Sequence, residues 1–280
     1  MIAAMLRVKN EARWIDEVIE SILPLCPRVF VMDDHSTDDT AAICSSYAAV
    51  SVLPSPFEGL DEARDKNWLL DRVIESVRPE WVLCIDGDEV LEPNGPDIIR
   101  RTIRDAGEVA AFSLKIDFLW NSPNLVRTDR VYGEFWRPSL FRPHYSDDPA
   151  IVEELRFKVT PFGRVVAGNR PNLHCSSVPQ RYLHGHQRCP ARLKHYGYME
   201  RERRVQKLDW YTSIDWKNDA EDWYRHMTQG DNVRLDELPL TAALVSRGLL
   251  SPADVNRLTN TPANAALVHA GPMRIEPYVI

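Results

Sequence analysis

Trp81-Val82-Leu83-Cys84-Ile85-Asp86-Gly87-Asp88-Glu89 (residues 81–89) runs five apolar residues straight into a cluster of carboxylates. An apolar run of that kind is a strand buried on both faces, as found in parallel sheets covered by helices. At Asp86 the chain leaves the strand and its alternation ends. Asp86 and Asp88, two positions apart, can therefore face one site. Hard divalent cations take oxygen ligands, and a cation held there would neutralise charge on a phosphate leaving group. Asp and Gly are also ordinary turn residues, and a plain turn is the competing explanation.

Upstream, Ile2 to Val8, Val29 to Met32 and Val50 to Leu53 are three more short apolar runs. Trp14, Ile15, Val18, Ile19, Ile22 and Leu23 recur at helical spacing between the first two, and Pro24 closes the segment. Ser36-Thr37-Asp38-Asp39 can cap a second helix. Leu69, Val73 and Val77 mark one face of a third, over about Asp61 to Val77. Strands that alternate with amphipathic helices predict a parallel sheet with helices on both sides, and such sheets bind ligands at the carboxyl ends of their strands. Asn10, Asp33, Asp34, Asp86 and Asp88 all fall at those ends. A carboxylate at Asp34 can accept hydrogen bonds from a nucleobase imide or ribose hydroxyls; the alternative is that Asp33 and Asp34 only cap the helix that follows, as expected of Asp38 and Asp39.

Downstream the texture changes. A helix over Asp97 to Ile103 is followed by longer strands over Val109 to Trp120 and Phe135 to Phe141. Shorter strands are predicted over Leu155 to Val159 and Arg164 to Ala167, and a charged helix from Pro190 to Asp209. Leu240 to Arg247 reads as a helix ending at Gly248, and Ser251-Pro252-Ala253-Asp254 opens another. The predicted organisation is an α/β catalytic domain over 1–209, with a nucleotide-sugar-binding half (1–105) and a mixed-strand acceptor half (106–209), then a helical extension over 210–280.

The bulk properties narrow the class. The chain has 280 residues, 44% hydrophobic and 27% charged, with a net charge of -7. That acidity argues against a dedicated nucleic-acid binder. The local basic stretch Arg181 to Lys207 is interleaved with Glu200 and Glu202, as on a solvated helix face. The five cysteines form no CxxC pair, so neither a disulfide framework nor a zinc knuckle is indicated. Met1 to Val8 is too short and too quickly charged for a signal peptide, and no apolar run approaches the ~20 residues that span a bilayer. A cytoplasmic protein is the expectation.

Three runs together carry a resemblance: Val8-Lys9-Asn10-Glu11, Val31-Met32-Asp33-Asp34-His35-Ser36-Thr37-Asp38-Asp39-Thr40, and Ile85-Asp86-Gly87-Asp88-Glu89. In order and spacing they resemble the nucleotide-binding half of the family 2 glycosyltransferases, which have the GT-A fold. Such enzymes hold manganese or magnesium against the donor diphosphate with a DxD motif. The resemblance implies Asp88 as a metal ligand, Asp86 as a contact to ribose or metal, and Asp34 as a contact to the base. Asn10 and Glu11 join them at the donor site. Glu62-Ala63-Arg64-Asp65-Lys66-Asn67 is similar to a family stretch near the nucleotide, which makes Arg64 and Asp65 contacts. His195-Tyr196-Gly197-Tyr198 resembles a late element of many members, so His195 is the candidate third metal ligand, with His174 second. His184 and His186, flanking Gly185, are a weaker metal pair.

An inverting transfer, expected from the resemblance, needs a general base at the acceptor hydroxyl. His174-Cys175 departs from the family's His-Glu element. The base candidates are therefore Asp147, Asp148, Glu153 and Glu154, with Glu221-Asp222 beyond the core. The expected donor is a UDP-sugar; the acceptor, whether glycan, lipid-linked sugar, protein, small molecule or nucleobase, is left open. The main rival is a haloacid-dehalogenase-type phosphatase with Asp86 as nucleophile, although that motif normally follows the first strand and three strands precede it here. A non-catalytic nucleotide-sugar-binding protein is the third reading. A sugar-nucleotide pyrophosphorylase or dinucleotide dehydrogenase should carry a glycine-rich loop, and Lys9-Asn10-Glu11 has no glycine.

Overall fold

In β1 (Ile2–Val8) every residue but Arg7 is buried, and β2 (Arg28–Asp33) is buried from Val29 to Met32. Strands apolar on both faces must sit inside a sheet. The computed structural model, which describes residues 1–158, 175–214, 224–228 and 233–237, places them there. β3 (Val50–Pro54), β2, β1 and β4 (Trp81–Cys84) lie side by side and parallel, with Val8 opposite Asp33 and Met5 opposite Cys84. β5 (Glu89–Leu91), β6 (Ala111–Phe118), β8 (Trp136–Phe141) and β9 (Gln187–His195) extend the sheet in the order β3-β2-β1-β4-β8-β6-β9-β5, and β8 runs antiparallel to both β4 and β6. The fold is thus α/β, parallel in its first half and mixed beyond it. β7 (Leu125–Arg127) pairs separately with β10 (Leu235–Glu237).

The predicted helices form as α1 (Ile15–Ile22), α2 (Thr40–Ser45), α3 (Glu62–Val77) and α4 (Gly95–Arg104). Ile15, Val18, Ile19 and Ile22 of α1 are fully buried, each contributing about 1.5–3 kcal/mol by leaving water. α3 starts where Asp61 accepts the amide of Arg64 at 3.0 Å. It lays Leu69, Leu70 and Val73 against Met5, Phe30 and Val82 of the sheet, and ends at Arg78 with φ +39°.

Two expectations are corrected. Gln187–His195 is a strand, not the first part of a charged helix; α6 begins only at Arg201 and runs to Ile214. Cys189, Ala191 and Leu193 are fully buried while Gln187, Arg188 and Pro190 are exposed, a period of two that the interspersed charges obscure. Of the strand expected over Leu155 to Val159, none forms at the described residues 155–158. Instead α5 (Pro149–Glu154) forms, with Asp148 accepting the amide of Ala150 and proline in the first turn. Arg164–Ala167, the helices at Leu240–Arg247 and after Ser251, His174 and Glu221-Asp222 lie outside the described residues.

The chain divides into two compact units, Met1–Ile116 with Trp136–Lys194, and Asp117–Phe135 with His195–Ile280. Asp209, where the sequence suggests a boundary, is inside α6. All five cysteines are free thiols. Among the described residues no helix is long and apolar enough to cross a membrane.

Candidate donor-nucleotide site

The carboxyl ends of β1, β2 and β4 form one rim. Beyond β1, Asn10 turns the chain with φ +55°, a conformation asparagine tolerates well. Its loop is stitched to the loop after β2. The Asn10 amide donates to Ser36 Oγ (2.9 Å), Asn10 Oδ1 accepts from the Thr37 amide (2.7 Å), and the Glu11 amide donates to Thr40 Oγ1 (2.8 Å). Asn10 is thus a fastener between two site loops. Asp38 accepts from Thr40 and the Ala12 amide and is held below the usual carboxylate range: its slight burial is outweighed by these hydrogen bonds.

Asp34 and Asp65 are joined by an arginine that the motif reading did not single out. Arg7 Nη2 lies 2.6 Å from Asp34 Oδ2, and Arg7 Nε lies 2.8 Å from Asp65 Oδ2. Arg64 pairs with the other oxygen of Asp65 at 2.8 Å, and its guanidinium carbon stands 4.4 Å from the Phe57 ring centre. Lys9 Nζ is 3.8 Å from Asp34 Oδ2. The available signal was a lone cation one residue before the end of a buried strand.

The Asp86 turn is organised by Arg137 of β8. Its Nη1 lies 2.7 Å from Asp86 Oδ2, and its Nη2 pairs closely with Glu89, whose carboxylate also accepts the Asp86 amide at 3.0 Å. Desolvation works to raise the Asp86 carboxyl, but the Arg137 and Lys66 cations outweigh it and hold it below the usual range. Glu89 goes the other way. Burial, helped by the neighbouring Asp86 and Asp88, pushes it up to about 7 despite Arg137. Lys66, on α3, is buried and donates to the carbonyls of Ser176 (3.1 Å) and Cys175 (3.4 Å). Gly87 allows the turn to close: a Cβ there would stand 2.9 Å from Val8 Cγ1 and 3.0 Å from Glu11 Cγ.

The donor set at this turn fits a hard divalent cation. Asp88 is buried and Asp86 half-exposed, and such ions bind through one or two carboxylates with substrate phosphates completing the shell. Among the described residues no group of three or more His, Cys, Asp and Glu side chains is gathered into a cage, which a phosphate-completed site does not require. His195 belongs to the second unit, where it stacks on Tyr198 with ring centres 5.0 Å apart. Its Nδ1 accepts the Gly197 amide at 3.1 Å, so in the neutral ring Nε2 carries the proton, and a metal at Nε2 would need the other tautomer. His186 Nδ1 is 2.6 Å from Ser113 Oγ.

The base candidates are not brought to this rim. Asp148 caps α5, Glu153 pairs with Lys158 at 2.8 Å, and Glu154 pairs with Arg181 at 2.9 Å. Arg156, just beyond, pairs with Asp71 in the middle of α3. Asp147 lines a cavity of about 390 Å³ with Ile74, Arg78 and Tyr145. Tyr145 donates to the carbonyl of Pro79, just ahead of β4 and at the opposite end of that strand from Asp86.

Residues 5–143 match the family described as glycosyl transferase family 2, a span that holds the whole rim. Residues 5–143 belong to this family. The parallel half of the fold, in which strands alternate with helices, is the GT-A arrangement, and the matched residues are a glycosyltransferase domain by family, a match that speaks against the phosphatase reading of Asp86. An uncharacterised protein of Mycobacterium tuberculosis is 28% identical over 153 residues, 49% of this chain and 36% of its own length. An uncharacterised glycosyltransferase of Rickettsia felis is 34% identical over 98 residues, 35% of this chain and 32% of its own. The chain thus spans about a third of the length of these relatives. Among solved structures it is similar to S. aureus TarS in complex with UDP-GlcNAc, with 21% identity, TM-score 0.35, and 42% and 34% of the two chains covered. It is also similar to glucosyl-3-phosphoglycerate synthase from M. tuberculosis in complex with Mn2+, UDP-glucose and phosphoglyceric acid, with 24% identity, TM-score 0.31, and 42% and 44% covered.

Proposed function

We propose that this glycosyltransferase moves a sugar from a UDP-sugar to an acceptor hydroxyl, with a magnesium or manganese ion held by Asp86 and Asp88. The observation that carries the reading is the convergence of Asp34, Asp65, Asp86 and Asp88 on one rim, supplied by β2, α3 and the turn after β4. Asp34 accepts the imide N–H of the base and Arg64 lines the nucleotide beside it, with the fully buried Asp65 holding Arg64 and Arg7 in place. The cation, when bound, neutralises charge on the diphosphate leaving group. Arg137 and Lys66 add positive charge beside Asp86, while Arg137 fixes that carboxylate in place. Glu89 and Asp88 are buried beside the half-exposed Asp86, which strengthens the interactions on the inner side of the turn. The family match supports inversion at the sugar as the expected outcome. Because Asp148, Glu153 and Glu154 are engaged away from the rim, we assign the general base to none of them.

Isothermal titration of UDP in the presence and absence of Mn2+ tests the reading. Binding should need the metal, and Asp88→Asn should weaken it about tenfold or more, with donor turnover falling ~10²-fold. UDP affinity indifferent both to Mn2+ and to Asp88→Asn would remove this turn from the donor site.

A further inference from the structure

Arg7 is the only charged residue inside β1, and its guanidinium bonds two carboxylates from other elements through Nε and Nη2. The side chain is 16% exposed, those of Asp34 and Asp65 7% and 0%. A planar fork meets two carboxylates along two N–H directions fixed in one plane, a rigidity that the rotatable N–H groups of an ammonium on a flexible stem do not give. Both contacts are short, and each carboxylate has a further cation beside it, Lys9 for Asp34 and Arg64 for Asp65. The result is a chain of alternating charge, Lys9–Asp34–Arg7–Asp65–Arg64, that ties the end of β1 to the end of β2 and the first turn of α3.

The way these cations meet Asp34 has a consequence for recognition. Arg7 and Lys9 both approach Oδ2, and no protein hydrogen bond among the described residues falls on Oδ1. An ionised carboxylate only accepts hydrogen bonds. Asp34 is therefore held with one oxygen anchored and the other presented as a pure acceptor. Such an oxygen suits the N3–H of a uracil ring and opposes the N3 lone pair of cytosine.

We propose that Arg7 is the positioning residue that sets nucleobase choice at the donor site: by clamping Asp34 through Oδ2 to Asp65, it aims Oδ1 as an acceptor for an imide N–H. The proposal rests on the reading of Asp34 as the base contact. Removing the fork frees Asp34 to rotate and breaks its link to α3, so recognition of the base suffers more than recognition of the phosphates.

The test is the ratio of CDP to UDP dissociation constants, measured by titration with Mn2+ on the full chain. The wild type should prefer UDP by at least tenfold, since a mismatched acceptor leaves polar groups unpaired. Arg7→Gln and Arg7→Lys should both shrink that ratio severalfold or more, mainly by weakening UDP. A role confined to folding would lower the melting temperature and weaken both nucleotides alike, and an unchanged ratio in Arg7→Lys would overturn the proposal even if Arg7→Gln does not fold. Asp34→Asn separates the two levels. If it leaves the ratio unchanged, or if the wild type does not prefer UDP, the base contact itself is misassigned. If it collapses the ratio while both Arg7 variants keep it, only the clamp is wrong.

Discussion

Gly87→Ala should disable the donor site through a single methyl group. Gly87 does not have a positive φ, unlike Gly59 and Gly107, so alanine suits its backbone and only space opposes it. The new Cβ would lie 2.9 Å from Val8 Cγ1, and 3.0 and 3.3 Å from Cγ and Cβ of Glu11. Carbon pairs settle at about 3.5–4.0 Å, so the overlap to be relieved is about half an ångström or more. Val8 cannot give way easily: it is 1% exposed, β-branched, and lies in a strand paired on both sides. Glu11 is pinned by its amide to Thr40. The turn carrying Asp86 and Asp88 must therefore move outward. Overpacking of this sort costs about 1–3 kcal/mol, and a misplacement of about 1 Å at a reacting centre costs up to ~10²-fold in rate. We expect Mn2+-dependent UDP binding to weaken tenfold or more, with a fall of a few degrees in melting temperature. Adding Val8→Ala removes the closest contact and should recover part of the loss, a coupling of at least ~0.5 kcal/mol in a double-mutant cycle. A Gly87→Ala protein with wild-type affinity and melting temperature would refute the steric account of the Asp-Gly-Asp turn.

Arg137→Met should destabilise the fold by about 3 kcal/mol in urea unfolding, since it strands the fully buried Glu89 without its cation. Adding Glu89→Gln should return part of that, and equal stabilities for the single and double variants would argue against the pair. Glu89 also sets a pH dependence. Its carboxyl is raised from 4.5 to about 7, so its contribution to stability is complete below pH 4.5 and is lost as pH rises through 7. The wild type should therefore lose stability from about pH 4.5 to pH 7 relative to Glu89→Gln and level off above that, measured as urea midpoints; parallel curves would show that Glu89 does not titrate there.

The parallel half of the fold was legible because its signals are local. Each apolar run from Ile2 to Ile85 became a strand or the start of its exit, and the carboxylates closing those runs reached one rim because parallel strands point their carboxyl ends the same way. The mixed half was less legible because its signals compete. In Gln187–His195, Arg188, Arg192 and Lys194 masked the buried alternation of Cys189, Ala191 and Leu193. At Asp148-Pro149 a helix start of the usual kind competes with the apolar residues after it, which suggest a strand.

The site itself was half legible, and the missing half has one physical cause. Asp33, Asp34, Asp86, Asp88 and Glu89 cluster in sequence because strand ends concentrate them, whereas the cations that hold them arrive from a distance. Arg137 is 51 positions from Asp86, and Arg7 is 27 from Asp34 and 58 from Asp65. No spacing rule connects such pairs, but an electrostatic requirement does, because buried carboxylates must be matched by cations. An acidic cluster at a parallel rim should therefore prompt a search for lone arginines in the neighbouring strands. The same requirement bears on the donor. Arg7, Arg64 and Arg137 are already engaged with the rim's own carboxylates. On the proposed reading, a diphosphate would meet arginines among the described residues that are already paired, and a divalent cation entering with it would supply the further positive charge.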